Sequence, residues 1–324
     1  MSLRILLAYD YDVGPETLEG LRALGLEPVF LPGADGQPGR EDRFYDLDFD
    51  HVDAVICYRF FCYNDIARFP RLKFIQTTSH GIDHMPLDYI RAHGVTLCDA
   101  RGVYGVPMAE YALCGVLQLY RNMPRYREQQ RAHVWQMHWD ARELGGRQVT
   151  LLGAGSVGRE CAKRFAAMGC RCVGLCRHPA DVPEGFAELR QISELDEVLP
   201  ETDVLLVTLP LTGETRGIVD ARRFALLKEG AVLVNIARGP VVDEGALLAA
   251  LRGGRLSGAV IDVCETEPLP ADSPLWDAPN LILTPHSCFI GEHNHRRFFE
   301  LALKNTAAWL KTLQEEKCNE TGSH

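Results

Sequence analysis

The sequence predicts an α/β protein built from two doubly wound parallel sheets. Three observations carry that reading. Short runs rich in Val, Leu and Ile alternate with helical patterns over most of the chain, the signature of βαβ units. The runs are almost continuously apolar rather than alternating, as strands covered on both faces require. They fall into two sets separated by a long apolar helix, and 324 residues is the length of roughly two domains at about 150 residues each.

The first set of strands is read at 3–10 (LRILLAYD), 28–31, 53–58, 73–79 and 95–100, with helices at 15–24 and 86–93. The second set lies at 147–153, 172–176, 203–209, 231–237, 258–264 and 280–284, six buried strands of one sheet. Between the sets, 107–122 (PMAEYALCGVLQLYRN) is an apolar helix that carries the chain from the first domain into the second. The charged and aromatic stretch 125–143, with Trp135 and Trp139, reads as a surface or subunit-contact arm. Residues 291–313 are helical again and cross back to finish the first domain. The expected division is therefore 1–103 with 287–324, and 104–286. The tail 318–324 is expected to be disordered.

Composition excludes several classes. A hydrophobic fraction of 46% is too high for a largely disordered chain. A formal net charge of -10 argues against a uniformly basic nucleic-acid binder, so no nucleic-acid partner is expected. No apolar run reaches the roughly 18 residues of a membrane-spanning helix, and the N-terminus lacks the apolar core and cleavage site of a secretory signal. The 11 cysteines are odd in number, scattered and mostly set in strand-like runs. They fit a reduced, cytoplasmic protein rather than a disulfide scaffold. Cys170, Cys172 and Cys176 are read as buried small hydrophobes.

The strongest local motif is Gly153-Ala154-Gly155-Ser156-Val157-Gly158, a GxGxxG loop. Alone that pattern is weak, but here it follows a strand and opens a helix at 156–168, the context of a dinucleotide site. Gly153 permits the tight turn, Gly155 lets backbone approach a pyrophosphate, and Gly158 lets helix and strand pack closely. At Ser156 and Val157 the helix start offers free N–H groups and a positive dipole end. The residue that meets the adenosine ribose is expected about 20 positions further on. Arg177 stands there, beside His178, with Arg171 at the start of the strand. An acid would accept the 2′-hydroxyl; an arginine instead pairs a 2′-phosphate, so NADP is favoured over NAD.

Ligands of open parallel sheets bind outside the carboxyl ends of the strands. After three strands of the second domain come Arg238, Glu267 and His286. A cation, a carboxylate and an imidazole thus reach the edge that carries the glycine loop. Reducing a ketone by hydride leaves an alkoxide that needs a proton near pH 7, and histidine is the side chain that titrates there. A neighbouring carboxylate fixes the histidine tautomer and stabilises the imidazolium. An arginine grips a substrate carboxylate with two parallel hydrogen bonds.

These residues resemble the D-isomer-specific 2-hydroxyacid dehydrogenases of the formate/glycerate dehydrogenase type, over nearly the whole chain. Asn235–Glu244 (NIARGPVVDE) is similar to the family's Arg signature, with Ala237 and Arg238 in it. Asp262–Pro270 (DVCETEPLP) is similar to the Glu signature and points to Glu267 rather than Glu265. Thr284-Pro285-His286 is similar to the His signature. Leu209, Pro210 and Thr215 match a loop that passes the cofactor. The resemblance implies a Rossmann dinucleotide domain inserted into a flavodoxin-like substrate domain. It also implies substrate carboxylate binding near Ser79, His80 and Gly81, and Met108 close to the nicotinamide. Asp262 falls on the carboxamide-binding Asp, and the family works as a homodimer. Arg59-Phe60-Phe61 departs from a more polar turn and is expected to form an aromatic pocket wall. Ser287–Gly291 departs from the small residues usual after the histidine. His80 and His84 are not read as metal ligands, because Gly81 lies between them, and no metal is expected.

The leading expectation is an NAD(P)-dependent reductase of small 2-keto acids of the glyoxylate or hydroxypyruvate kind. The alternatives are an NAD(P)-sensing corepressor-type binding protein of the same fold and a short-form phosphoglycerate dehydrogenase. With no regulatory domain appended by residue 324, a feedback-controlled phosphoglycerate dehydrogenase is not expected, and the short form stays open.

Overall fold

In the computed structural model, which describes residues 2–8, 13–31, 45 and 49–321, the apolar runs pair as parallel strands in two sheets. The chain forms two compact units, Met1–Val103 with Glu292–His324, and Tyr104–Gly291. The chain returns to the first unit only after Gly291 because the backbone N–H groups of Ser287 and Cys288 bond to Asp262 of the second.

The first unit has five strands: β1 (Leu3–Ala8), β2 (Leu26–Phe30), β3 (Ala54–Cys57), β4 (Phe74–Thr77) and β5 (Thr96–Cys98). Their order is β2-β1-β3-β4-β5, and every pairing is parallel. Residues 9 and 10, the end of the first expected strand, lie outside the described residues. The inner strands β3 and β4 are buried throughout, which is why they read as unbroken apolar runs. Helices α1 (Gly14–Ala23) and α3 (Leu87–Ala92) match expectation, and a short α2 (Phe60–Tyr63) is added after β3.

That short helix overturns the reading of Phe60 and Phe61 as a pocket wall. Both belong to the hydrophobic core of the unit, at 0% and 7% exposure. Phe60 meets Phe49 and Phe69 edge-on, and Phe49 stacks on Phe69 at 4.3 Å. One helical turn sends both rings inward and leaves Tyr58 and Tyr63 exposed instead.

The second unit begins with α4 (Gly105–Tyr120) and α5 (Met123–Arg131). It continues with β6 (Gln148–Leu152), α6 (Ser156–Ala167), β7 (Arg171–Cys176), β8 (Glu188–Gln191), α7 (Leu195–Val198) and β9 (Val204–Val207). Then come α8 (Ala221–Leu226), β10 (Ala231–Asn235), α9 (Glu244–Arg252), β11 (Leu256–Ile261) and β12 (Leu281–Leu283). The seven strands run in the order β12-β11-β10-β9-β6-β7-β8. One more strand is present than expected: β8 is a polar edge strand with no buried residue, so it shows no apolar run. The strand order reverses direction at β6, and the crevice at such a switch point is where this architecture binds ligands. One apolar cluster covers the face under α8 and α9, and a second covers the face under α4 and α6.

The last helix, α10 (Asn294–Thr321), belongs to the first unit. Trp309 stacks on Phe74 of β4 at 5.0 Å, and Asn305 donates to Gln76 Oε1 at 2.8 Å. The helix runs to Thr321, into the tail expected to be disordered; residues 322–324 lie outside the described ones.

Candidate active site

The glycine loop has the sterics its spacing predicts. Gly153 adopts φ +113°, where a side chain is strained, and a Cβ there would lie 2.7 Å from Thr208 Oγ1. A Cβ on Gly158 would lie 2.1 Å from Gly153 O, so helix and strand touch at backbone distance. Thr208, just past β9, fastens the turn through Leu152 O and Gly153 O at 3.1 and 3.0 Å. By contrast a Cβ on Gly155 would meet nothing within 4 Å, so the space above the loop is open. Ser156 Oγ is buried without a hydrogen-bond partner at the first turn of α6. Val157 and Gly158 are buried behind it. An open backbone cradle, a donor lacking an acceptor and a helix N-terminus fit a dinucleotide pyrophosphate.

Arg177 follows the last residue of β7 directly, is exposed, and has no hydrogen bond or ion pair to Asp181 among the described residues. Arg171 does not share that edge. It begins β7, at the amino end of the sheet, and bonds Gln148 and Glu188. It therefore cannot help read a cofactor at the carboxyl edge. Leu209, Pro210 and Thr215 form a turn beyond β9, in which Thr215 Oγ1 donates to Pro210 O at 2.6 Å and accepts from Thr212 N–H at 2.8 Å. Met108 lies in the first turns of α4, partly buried.

On the other half of the edge, His286 Nδ1 stands 2.7 Å from Glu267 Oε2. The other oxygen, Oε1, accepts Cys264 N–H at 3.0 Å, which fixes the plane of the carboxylate. Both side chains are about two-fifths exposed, at 42% and 38%. With Nδ1–H directed at the carboxylate, Nε2 is the nitrogen left for chemistry. His286 has φ +51°, a left-handed conformation costing roughly 1–2 kcal/mol for a residue with a Cβ. Its own N–H donates to Asp262 O at 2.8 Å. The Phe289 ring meets the imidazole edge-on at 6.2 Å, and Tyr104 meets Phe289 in the same way at 5.7 Å. The unusual segment after the histidine thus packs against the imidazole.

Arg238 comes three residues after β10, and its Nη1 donates to Ala237 O at 2.8 Å. Buried Asn235 holds the loop, accepting Ala237 N–H and donating to Arg238 O. The next residue explains how the arginine and glutamate loops meet. A Cβ on Gly239 would lie 2.0 Å from the carbonyl carbon of Cys264, so only glycine lets the two backbones touch. Asp262, 1% exposed, sends both carboxylate oxygens to the segment carrying His286. Oδ1 accepts Ser287 N–H and Oδ2 accepts Cys288 N–H, each at 2.9 Å.

Ser79, His80 and Gly81 follow β4 at the carboxyl edge of the five-stranded sheet. Ser79 Oγ donates to Gly81 O at 2.7 Å and lies 2.8 Å from Thr77 Oγ1. His84 Nε2 is 3.1 Å from Tyr58 O, which ties this loop to the one after β3. Sequence reasoning missed Thr208, Asn235 and the partners of Asp262. Thr208 fell inside the strand expected at 203–209, whereas β9 ends at Val207, so it read as part of the sheet.

Residues 113–288 match the family model described as D-isomer specific 2-hydroxyacid dehydrogenase, NAD binding domain. The chain belongs to this family. The D-2-hydroxyacid dehydrogenase match extends beyond that domain. A glyoxylate reductase from Thermofilum pendens is 32% identical over 84% of this chain and 79% of its own length. A glyoxylate/hydroxypyruvate reductase B from Pectobacterium carotovorum is 34% identical over 77% of this chain and 79% of its own. Among solved structures, a family member from Xanthobacter autotrophicus in complex with NADPH and MES superposes with a TM-score of 0.76. It has 31% identity and 95% coverage of both chains. The second unit is thus the family's NAD-binding domain, and the two-sheet architecture is the family's fold.

Proposed function

We propose that this chain is an NAD(P)-dependent oxidoreductase that interconverts a small 2-keto acid and the corresponding D-2-hydroxy acid, with glyoxylate or hydroxypyruvate as substrate class. The observation that carries the reading is the 2.7 Å contact between His286 and Glu267 on the sheet edge that also holds the glycine loop and Arg238. The names of the glyoxylate and hydroxypyruvate reductases above support the substrate class.

The nicotinamide, when bound, supplies or takes up the hydride. Gly153, Gly155, Ser156, Val157 and Gly158 hold the pyrophosphate; Leu209, Pro210, Thr215, Ala237 and Met108 line the rest of the cofactor path. Asp262, which follows β11 on the same edge, is assigned to the nicotinamide carboxamide. Arg177 favours a 2′-phosphate and so NADP over NAD. Arg238 grips the carboxylate and the keto oxygen of the substrate, and the resemblance assigns Ser79, His80 and Gly81, after β4, to substrate binding. His286 Nε2 gives its proton to the keto oxygen as charge develops there. Glu267 accepts a hydrogen bond from Nδ1–H, keeps the ring in the productive tautomer and stabilises the imidazolium. In the oxidative direction His286 takes the hydroxyl proton.

The second unit also carries a surface that suits a second copy of this chain. Trp135 is fully exposed at 100%, Trp139 at 89% and Met137 at 68%. Such an apolar arm on a water-facing surface marks an association site, and we assign it to a homodimer. The cysteines whose side chains are described are unbridged, which supports a reducing compartment, the cytoplasm. No helix among the described residues is long and apolar enough to cross a membrane.

The test is a panel of glyoxylate, hydroxypyruvate, pyruvate and phosphohydroxypyruvate with NADPH and NADH. The proposal expects turnover with glyoxylate or hydroxypyruvate. Cofactor binding without turnover on any keto acid would favour a corepressor-type sensor, and turnover confined to the phosphorylated acid would favour a phosphoglycerate dehydrogenase. Light scattering should give twice the monomer mass, reduced by Trp135→Ser with Trp139→Ser.

A further inference from the structure

Behind His286 lies a chain of hydrogen bonds that no motif announces. Tyr111, on α4, places its hydroxyl 2.6 Å from Thr284 Oγ1, although the two are 173 positions apart. Thr284 Oγ1 lies 2.5 Å from Asp262 Oδ1. Chemistry sets the direction of both protons. An ionised carboxylate only accepts, so Thr284 donates to Asp262. Its single proton is used there, so Tyr111 donates to Thr284. Burial pushes the Tyr111 hydroxyl well above its ordinary range, which keeps it a neutral donor.

Asp262 converts this chain into geometry. It follows β11 and precedes the His286 turn in space. Its carbonyl accepts His286 N–H, while its carboxylate accepts the N–H groups of Ser287 and Cys288. The backbone of the histidine turn is therefore clamped before and after the imidazole by one residue. That clamp requires a single rotamer of Asp262. Of the donors that fix it, the Ser287 and Cys288 N–H groups and the Cys288 thiol belong to the segment being held. Thr284 Oγ1 lies outside that segment, and its own orientation is set by Tyr111.

We propose that Tyr111 and Thr284 are positioning residues for His286. They aim the Asp262 carboxylate so that it holds the 286–288 backbone in the left-handed turn that sets the imidazole on Glu267. The inference rests on the proposed role of His286 as proton donor. It adds two hydroxyls, neither of which touches the reacting atoms. A merely structural Tyr111 would need only its ring, which packs against the apolar cluster under α4; phenylalanine keeps that ring and removes the hydroxyl alone.

The variants are Thr284→Val, Thr284→Ser and Tyr111→Phe. The first readout, independent of activity, is the low-field proton NMR signal of the His286 Nδ1–H, assigned by its loss in His286→Gln. The second is kcat and KM on the best keto acid of the panel, with the NADPH dissociation constant. Thr284→Val is expected to broaden or abolish the signal and to lower kcat by about tenfold or more, the scale for losing an outer-shell partner. KM stays within about twofold, and any loss of NADPH affinity is smaller than the loss of kcat. Tyr111→Phe shifts both readouts in the same direction by roughly threefold in kcat, a smaller loss because one hydrogen bond further from the turn is removed. Thr284→Ser restores both.

Three results would overturn the proposal. They are an unchanged signal and kcat in Thr284→Val and Tyr111→Phe, failure of serine to rescue, or a kcat loss matched by an equal loss of cofactor affinity. If Thr284→Val does not fold, Tyr111→Phe decides alone. Should the native protein reduce no keto acid, the proposed function fails, while the NMR signal still decides the positioning.

Discussion

The two halves of the carboxyl edge of the seven-stranded sheet are built on opposite principles. After β6 the chain works by leaving side chains out: Gly153 and Gly158 touch at backbone distance, and Gly155 faces open space. After β10, β11 and β12 it works by presenting side chains: the loops after β10 and β11 brace Arg238 and Glu267 internally, and the turn of His286 is braced from the loop after β11. Asn235 braces Arg238, Cys264 N–H braces Glu267, and Asp262 braces the His286 turn. A site made from absence is defined by sterics along one segment. A site made from presence depends on hydrogen bonds, and those that hold His286 join positions 19 to 26 apart. The first half should therefore govern cofactor binding and the second turnover, and damage to one should spare the other.

The largest separation is expected from Arg238→Lys. Lysine keeps the charge and loses the planar fork. Efficiency with keto acids should fall on the order of 100-fold, the cost of roughly 1 Å of misplacement at the reacting group. NADPH should bind as before in fluorescence titration; equal losses in both would break the comparison. On the other half, Gly158→Ala puts a methyl 2.1 Å from Gly153 O. Forcing that contact apart costs about 1–3 kcal/mol, so NADPH binding should weaken by roughly 10–100-fold on the same scale. With saturating cofactor, kcat should recover; a kcat that stays low would join the two halves into one.

Arg177→Asp sharpens the comparison within the cofactor half. Exchanging a phosphate-pairing guanidinium for a ribose-pairing acid should lower the NADPH-to-NADH efficiency ratio by about tenfold or more. An unchanged ratio would show that Arg177 does not read the cofactor. The smallest effect is expected at the opposite, amino edge, where Asp203 accepts from Gln148 N–H, Lys228 and Arg147. Burial pushes its carboxyl up, but these partners outweigh burial and hold it below the usual carboxylate range. A depressed pKa contributes stability above the unfolded value and loses it as pH falls through the folded value. Asp203→Asn should thus cost about 1–2 kcal/mol at pH 7, and the gap in Tm should close toward pH 3. Activity per folded molecule should be unaffected.

The same contrast explains what was legible in the sequence. Gly153, Gly155 and Gly158 were readable because their role is local, one strand and one helix apart. Arg238, Glu267 and His286 were readable as types because each charge follows an apolar strand. Their supports were not. Tyr111 and Thr284 meet across 173 positions, and a tyrosine in an apolar helix looks like core. Arg171 looked like a cofactor residue because one strand separates it from Arg177, yet that strand carries it to the other edge of the sheet. Phe60 and Phe61 looked like a pocket wall after a strand end, but one helical turn buries them in the core. The polar strand β8 escaped because an edge strand needs no apolar run.

The division of labour along this edge is tested most directly by His286→Ala, with kcat on glyoxylate and the NADPH dissociation constant measured on the same preparation. Loss of a positioned acid lowers turnover by about 100-fold or more, so kcat should fall on that scale while the dissociation constant stays within about twofold. Near-native turnover, or a loss of cofactor binding as large as the loss of turnover, would contradict the account.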